Sequence, residues 1–202
     1  MRRKSIFMID LDVSSKKRVF EQVGLLFENN NNIARSEVFD SLFAREKLGS
    51  TGLGQGIAIP HGRIKTIKEA LGAVVRTRAP IPFDAPDAQN VSLIFVLLVP
   101  DRATDMHLQI LSELAQMFSD KPFREQLLAA PTAAELHRLI VEWQPHDRSG
   151  RGAADARQRD HLIERARKVT VVTFDRQTCS PVQIPRTRVV AKSAPVREHL
   201  IQ

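Results

Sequence analysis

Residues 49–63 (GSTGLGQGIAIPHGR) contain the side chains whose types and spacing could do chemistry. Four glycines fall within residues 49–56, and glycine lets a backbone turn sharply or approach a ligand closely. The apolar run at residues 57–59 predicts a short buried strand, which Pro60 ends because proline cannot donate to a sheet ladder. The pattern therefore places His61 at a strand tip, where an imidazole could meet an anion.

The chemistry of histidine makes His61 the candidate nucleophile for phosphoryl transfer. That reaction needs a nucleophile, an in-line approach and positive charge around the transferring oxygens. A neutral imidazole is nucleophilic near pH 7, and a phosphoimidazole gives the group up again readily. Arg63 and Lys65 could supply a docking field for an anion, and the hydroxyls of Ser50 and Thr51 could add hydrogen bonds.

Two further residues could complete a phosphoryl site around His61. Arg45 lies 16 residues upstream, in the last turns of a predicted helix, and its guanidinium can fork onto phosphate oxygens without losing its charge. His107 lies 46 residues downstream, in the first turn of another predicted helix, where the helix N-terminus favours anions. We therefore predict that His61, Arg45 and His107 lie around a common anion.

The segment GIAIPHG at residues 56–62 resembles the phosphorylation site of enzyme IIA domains of the phosphoenolpyruvate phosphotransferase system. The resemblance is to the fructose/mannitol type, and within it to the nitrogen-regulatory IIA proteins. The similarity extends through residues 45–52 (REKLGSTG), 97–100 (LLVP) and 107–108 (HL). It covers roughly residues 9–145, and its seven-residue centre is much more specific than a lone glycine-rich loop.

The resemblance implies both a fold and an activity. The fold is α/β, a three-layer sandwich in which a mixed sheet has helices on both faces, and it occupies residues 1–145. The activity is acceptance of a phosphoryl group on His61 from an HPr-type carrier or its nitrogen-branch version, with Arg45 and His107 as the family's other site residues. The phosphorylation state would regulate target proteins, and neither a cofactor nor a metal is expected.

Periodicity independently supports an α/β chain, because helical patterns alternate with apolar runs typical of strands. The nearly continuous apolar run at residues 91–99 predicts a central strand covered on both faces. A turn-rich connector is predicted at residues 80–84. The other predicted elements are a strand at residues 73–77 and helices from Ser15 to about Asn29, from about Ser36 to Gly49, from Asp105 to Phe118, from Pro122 to Leu128 and from Thr132 to Ile140.

Two other functions stay open at this point. A transport-dedicated IIA would hand its phosphate to the cysteine of a IIB domain for a sugar such as fructose or mannitol, and the same site residues would serve that role. A non-catalytic basic protein would instead act through the C-terminal tail. Nucleic-acid binding is not expected except through that tail, since the chain has no Tyr and one Trp for base stacking.

The tail, residues 146–202, differs in charge from the rest of the chain. Residues 1–146 hold 18 Lys and Arg against 17 Asp and Glu, whereas residues 147–202 hold 12 against 6. The net charge of +7 therefore belongs mostly to the tail. Three interpretations compete: a poorly ordered or frame-shifted extension, a basic arm for an acidic partner or nucleic acid, and a small packed addition. The residue pattern is compatible with a short helix at residues 157–168 and a strand at residues 169–174.

Composition and motifs exclude several other classes. The single cysteine excludes an internal disulfide, and no run approaches the roughly 20 apolar residues that span a bilayer, so we expect a cytoplasmic protein without membrane insertion. The glycine loop is not a P-loop, because no Gly-Lys-Ser/Thr follows it. A zinc site formed by His61, Asp105 and His107 would occupy the nucleophile. Cys179 lacks the strand-then-helix setting of a IIB cysteine nucleophile.

Overall fold

The protein structure, a computed structural model, describes residues 3–102, 105–143, 169–174 and 181–182. Within these residues the chain forms eight strands and five helices. The strands are β1 (Arg3–Leu11), β2 (Gly52–Gly54), β3 (Ile57–Ala58), β4 (His61–Ile64), β5 (Leu71–Ile81), β6 (Val91–Pro100), β7 (Val169–Phe174) and β8 (Pro181–Val182). The helices are α1 (Lys16–Asn31), α2 (Arg35–Lys47), α3 (Asp105–Ser119), α4 (Lys121–Ala129) and α5 (Ala133–Glu142).

The strands form one mixed sheet in the order β2-β3-β6-β5-β1-β7-β8, and β4 also pairs with β6. The long central strands β5 and β6 are antiparallel, with Val74 opposite Phe95. By contrast, β3 and β4 both run parallel to β6, and β1 runs parallel to β5. The mixed sheet implied by the family resemblance is therefore confirmed.

Helices cover both faces of this sheet, because side chains along the central strands alternate between two cores. Ala73 and Val75 on β5 pack with α1 and α2, whereas Val74 between them packs with α3, α4 and α5. On β6, Ile94 belongs to the core with α1 and α2, and Leu93 belongs to the core with α3, α4 and α5. This confirms the predicted three-layer α/β architecture.

The predicted helix boundaries have recognisable caps. Ser15 accepts a hydrogen bond from the Arg18 backbone N–H at 3.4 Å and begins α1, and Asn32 ends that helix in the left-handed conformation at φ 55°. Thr132 begins α5 by accepting from the Glu135 N–H at 3.1 Å. Short polar side chains at these positions satisfy backbone groups that a helix end leaves unpaired.

Strands β1 and β5 depart from the sequence prediction. The sequence does not predict β1, although its Phe7 is only 2% exposed and the strand lies between β5 and β7. The connector predicted at residues 80–84 is wrong at its start, because β5 continues to Ile81, which pairs with Val91. The ladder has an irregularity between Arg76 and Ile81, where Pro80 lacks an N–H to donate.

The tail contributes two of the described strands. Val169–Phe174 forms β7, at the residues where the sequence suggests a strand, and it runs parallel to β1 with Val171 opposite Ser5. The helix considered for residues 157–168 lies outside the described residues, and so does Cys179. The division at residue 145 and the role of the tail stay predictions. No helix in the described parts of the chain is long and apolar enough to cross a membrane.

Candidate functional site

His61 is the first residue of β4, so it lies at the tip of a strand, but not after the end of the 57–59 strand as expected. Strand β3 pairs with β6 through Leu93 and Ile94, and β4 resumes that pairing with His61 opposite Leu97. Pro60 lies in the gap and cannot donate, but its carbonyl accepts from the Leu97 N–H at 3.0 Å. Pairing with β6 therefore continues on both sides of Pro60, and the backbone of His61 is fixed by its pairing with β6.

The two ring nitrogens of His61 have distinct partners. Nδ1 lies 2.9 Å from the carbonyl oxygen of Ile59, which can only accept, so Nδ1 carries the proton. Nε2 lies 3.1 Å from Nε of Arg45, whose N–H donates to it. The hydrogen bonds thus assign a neutral Nδ1–H imidazole whose lone pair is on Nε2, facing the guanidinium.

Arg45 bridges His61 and the glycine loop through two hydrogen bonds. It lies in the last turn of α2, and its Nη1 donates to the carbonyl of Gly49 at 2.9 Å while its Nε donates to His61. Two fixed acceptors hold the planar guanidinium in one orientation. Its contact with His61 brings together two of the three residues predicted to share an anion.

A close approach between α2 and β4 sets this contact. A Cβ added to Gly62 would lie 2.3 Å from Oγ of Ser41, so only glycine leaves room for the helix here. The Ser41 hydroxyl donates to the carbonyl of Arg63 at 2.8 Å and ties α2 to the strand. Ser41 and Arg45 are four residues apart and share a helix face, so the same packing brings Arg45 to His61.

The glycine loop is held in conformations that side chains rarely adopt. Gly54 and Gly56 have φ values of 87° and 78°, and a Cβ on Gly54 would lie 2.9 Å from the carboxylate of Asp87. That carboxylate accepts from the Gln55 N–H at 2.6 Å and from the Gln89 N–H at 3.1 Å. These backbone hydrogen bonds hold the pKa of Asp87 below its ordinary value. The connector after β5 therefore fixes the far end of the loop.

The hydroxyls of Ser50 and Thr51 already donate elsewhere. Ser50 Oγ donates to the carbonyl of Phe83 at 2.6 Å, and Thr51 Oγ1 donates to Glu46 at 2.6 Å. Direct hydrogen bonds from either hydroxyl to a phosphoryl group stay a prediction and would require a change of acceptor. Arg63 is exposed and donates to the carbonyl of Asp101 at 2.9 Å, which fits an outer cation better than a direct contact.

His107 falls in the first turn of α3, as predicted, but its side chain lies outside the described part of the structure. Leu111, four residues later, lines the same cavity as His61. Residue 107 lies about one helical turn before this residue of the cavity wall. Its participation in the site stays a prediction.

The cavity beside His61 is small, with a volume of about 180 Å³. Arg45 is the one charged side chain among its described lining residues, so the cavity favours an anion. Within the described residues, no cluster of three or more His, Cys, Asp or Glu side chains could hold a metal ion. The lining residues are Arg45, Ser50, Thr51, Gly52, Leu53, Ile59, His61 and Leu111.

Glu46 is a member of this region that sequence reasoning missed. Its side chain is only 3% exposed, and it accepts hydrogen bonds from both the backbone N–H and the hydroxyl of Thr51. A signal was available, because Val38, Leu42 and Glu46 recur at helical spacing on the inner face of α2. A carboxylate at a core-facing position needs a partner. The partner, Lys16, lies 30 residues away and has no local signal.

Known proteins resemble this chain over the same region. Residues 1–143 match the family described as "Phosphoenolpyruvate-dependent sugar phosphotransferase system, EIIA 2". A nitrogen regulatory protein of Pseudomonas aeruginosa is 43% identical over 138 residues, which cover 68% of this chain and 90% of that protein. A fructose-specific EIIA component of the phosphotransferase system from Haloferax volcanii is 35% identical over 108 residues, covering 54% and 70%.

A solved structure extends the similarity to the fold. The crystal structure of the nitrogen regulatory protein IIA-Ntr from Neisseria meningitidis has a TM-score of 0.63 and 54% sequence identity, and it covers 67% of this chain and 92% of that one. The family match alone takes in well over half of the present sequence. The chain therefore belongs to the EIIA 2 family of the phosphoenolpyruvate-dependent sugar phosphotransferase system.

Proposed function

We propose that the protein accepts a phosphoryl group on Nε2 of His61 from the phosphohistidine of an HPr-type carrier, and that its phosphorylation state regulates other proteins. One observation carries this proposal. The Nε2 lone pair of His61 faces Arg45 at 3.1 Å, while Nδ1–H is fixed on the Ile59 carbonyl at 2.9 Å. A neutral imidazole in this tautomer is ready to attack phosphorus without first losing a proton.

In the proposed step, the Nε2 lone pair of His61 forms a bond to phosphorus, and the P–N bond to the donor imidazole breaks. The donor nitrogen keeps that electron pair, and Nδ1 of His61 keeps its proton and its hydrogen bond to Ile59. Arg45 can no longer donate to Nε2, so its N–H groups turn to the phosphoryl oxygens. The Gly49 carbonyl, 2.9 Å from Nη1, keeps the guanidinium in place during this exchange. His107 is proposed as a second hydrogen-bond donor to the phosphoryl group.

Exposed leucines around the cavity support a protein as the phosphoryl donor. Leu48 is 85% exposed beside the loop, Leu53 is 46% exposed and lines the cavity, and Leu108 is 62% exposed at the start of α3. Exposed apolar patches mark sites of protein association, and the proposal treats these three leucines as parts of one such patch. Arg63 and Lys65 are exposed nearby and would guide an anionic partner.

The regulatory part of the proposal is supported by the relatives called nitrogen regulatory proteins in Pseudomonas aeruginosa and Neisseria meningitidis. Transfer of the phosphoryl group to a neutral imidazole that keeps its Nδ1 proton adds a net charge of about −1 at one surface, because the cationic ring offsets part of the charge on the phosphoryl oxygens. That change suffices to alter a protein contact made by the same surface. The proposal places the protein and its targets in the cytoplasm.

A phosphorylation assay with a matched histidine control tests this function. The protein is incubated with radiolabelled phosphoenolpyruvate, enzyme I and an HPr-type carrier, and the label is expected to be acid-labile and alkali-stable. His61→Ala is expected to abolish labelling, whereas His137→Phe, on α5, is expected to keep it. Labelling that persists in His61→Ala would refute the assignment of the site.

A transport function is the second candidate, favoured by the similarity to the fructose-specific EIIA component of Haloferax volcanii. In that case the phosphoryl group moves on from His61 to a cysteine of a IIB domain. Mixing the phosphorylated protein with purified IIB domains of the fructose and mannitol systems separates the two candidates. Rapid transfer to a IIB domain favours transport, and a label retained on His61 favours regulation.

A further inference from the structure

We infer that Glu46 is a positioning residue for phosphoryl transfer, acting on Arg45 through the glycine loop. The inference rests on the proposed function and adds a residue with no contact to the phosphoryl group. Glu46 follows Arg45 at the end of α2, but its side chain turns inward while Arg45 reaches His61. The two adjacent side chains thus hold the loop and the nucleophile respectively.

The Glu46 carboxylate binds the loop at Thr51. Oε2 accepts from the Thr51 backbone N–H at 3.1 Å and from the Thr51 hydroxyl at 2.6 Å. Hydrogen bonds to a charged acceptor are stronger than those between neutral groups, and this pair is buried. The loop therefore has one fixed point only two residues after Gly49.

This fixed point is coupled to Arg45 through Gly49. The carbonyl of Gly49 accepts from Arg45 Nη1 at 2.9 Å, and the Gly49 N–H itself donates to the Glu46 carbonyl at 3.2 Å. Gly49 has φ 147°, a conformation that side chains rarely adopt but that glycine reaches freely, so the orientation of its carbonyl depends on the hydrogen bonds of its neighbours. Release of Thr51 from Glu46 would let the Gly49 carbonyl shift, and the guanidinium would lose one of its two fixed acceptors.

Lys16 gives the buried carboxylate of Glu46 a cationic partner. Its Nζ lies 3.1 Å from Glu46 Oε1 and 2.6 Å from Asp84 Oδ2, and it is 5.7 Å from the centre of the Phe83 ring. Burial alone would lower the pKa of Lys16, but the hydrogen bonds to Asp84 and Glu46 outweigh burial and raise it. Lys16 therefore stays a cation, and α1, α2, the loop and the connector after β5 meet around its ion pairs with Glu46 and Asp84.

The test compares two glutamates on the same helix. Glu46→Gln removes the charge at the loop, whereas Glu37→Gln changes a carboxylate that accepts from the hydroxyl of Thr66 at 3.3 Å. We expect Glu46→Gln to lower the maximal rate of labelling by a phosphorylated HPr-type carrier about tenfold to a hundredfold, with KM within about twofold of wild type. Glu37→Gln is expected to label at the wild-type rate.

A double-mutant cycle separates positioning from a general structural role. Because Glu46 acts through Arg45, Glu46→Gln is expected to slow labelling far less in an Arg45→Gln background than in wild type. An equal slowing in both backgrounds would overturn the inference. A wild-type rate in Glu46→Gln would also overturn it. Absence of labelling at His61 in the wild-type protein would instead overturn the proposed function.

Thr51→Val provides a second variant if Glu46→Gln fails to fold. It removes only the hydroxyl that donates to Glu46 and keeps the shape of the side chain. We expect a rate loss in the same direction and smaller, because the Thr51 N–H still donates to Glu46. A Thr51→Val protein that labels at the wild-type rate would overturn the inference.

Discussion

The region around His61 and the region of helices α4 and α5 contain the same residue types in different surroundings. Arg45 donates to a ring nitrogen of His61 and to one loop carbonyl. Arg76 is buried at 9% exposure and donates to the carbonyls of Leu127, Leu128 and Ala130 at the end of α4. A cation at a helix C-terminus donates to carbonyls that the helix leaves unpaired, and it interacts favourably with the negative end of the helix dipole.

Leucine and histidine show the same contrast. Leu48, beside the cavity, is 85% exposed, whereas Leu128 on α4 is 42% exposed. Both ring nitrogens of His61 have hydrogen-bond partners, whereas Nε2 of His137 on α5 has none among the residues that the structure describes. The His137 ring packs edge-on against Phe7 at 5.1 Å. Arg76 and His137 thus contact other parts of the fold, whereas Arg45 and His61 line a cavity.

The arginine pair gives the largest expected effect. Arg45→Ala is expected to lower the rate of labelling about 10²–10³-fold, since one preorganised donor to the phosphoryl oxygens is lost, with little change in unfolding. Arg76→Ala is expected to cost about 2–4 kcal/mol of unfolding free energy, because buried carbonyls lose a charged donor. Labelling kinetics and urea unfolding of both variants check this, and equal behaviour of the two would contradict it.

The leucine pair gives an intermediate effect on recognition. Leu48→Asp is expected to raise KM for the phosphorylated carrier about tenfold, the loss typical of an apolar contact at an interface. Leu128→Asp serves as the control and is expected to leave KM unchanged. The prediction is contradicted if both substitutions raise KM for the carrier equally or if neither raises it.

The histidine pair gives the smallest effect, a change in the pH dependence of stability. Burial lowers the pKa of His137 below its ordinary value of 6.5, so the unfolded chain binds more protons as the pH falls through that value. The free energy of unfolding therefore decreases from about pH 6.5 downward, and His137 contributes no pH dependence above that range. His137→Phe is expected to show a smaller decrease between pH 7 and pH 5 in urea unfolding. If the free energy of unfolding falls equally with pH in both proteins, other groups control this pH dependence.

Much of this arrangement follows from local patterns in the sequence. The caps Ser15 and Thr132 and the run at residues 91–99 each depend on a few neighbouring residues, and the structure confirms the elements that they predict. His61 and Arg45 were predicted to lie close together, and they do because Gly62 leaves room for Ser41. The motif therefore includes the glycine that permits this packing.

The remaining features depend on contacts between distant segments. The apolar run that forms β1 is short, and its place in the sheet is set by pairing with β5, more than 60 residues further on. Strand β4 resumes at His61 because the ladder with Leu97 continues past Pro60, which proline chemistry alone does not indicate. The pairing of Lys16 with Glu46 likewise joins two helices, and only the folded chain brings them together.

The central claim is that Nε2 of His61 carries the phosphoryl group beside Arg45. Long-range ¹H–¹⁵N correlation spectra of the ¹⁵N-labelled protein, before and after phosphorylation by a phosphorylated HPr-type carrier, test it most directly. The expected result is a neutral Nδ1–H ring before the reaction, and a phosphorylated Nε2 on His61 with the Nδ1 proton retained afterwards. A phosphoryl group on Nδ1 of His61 or on any other residue would contradict the account.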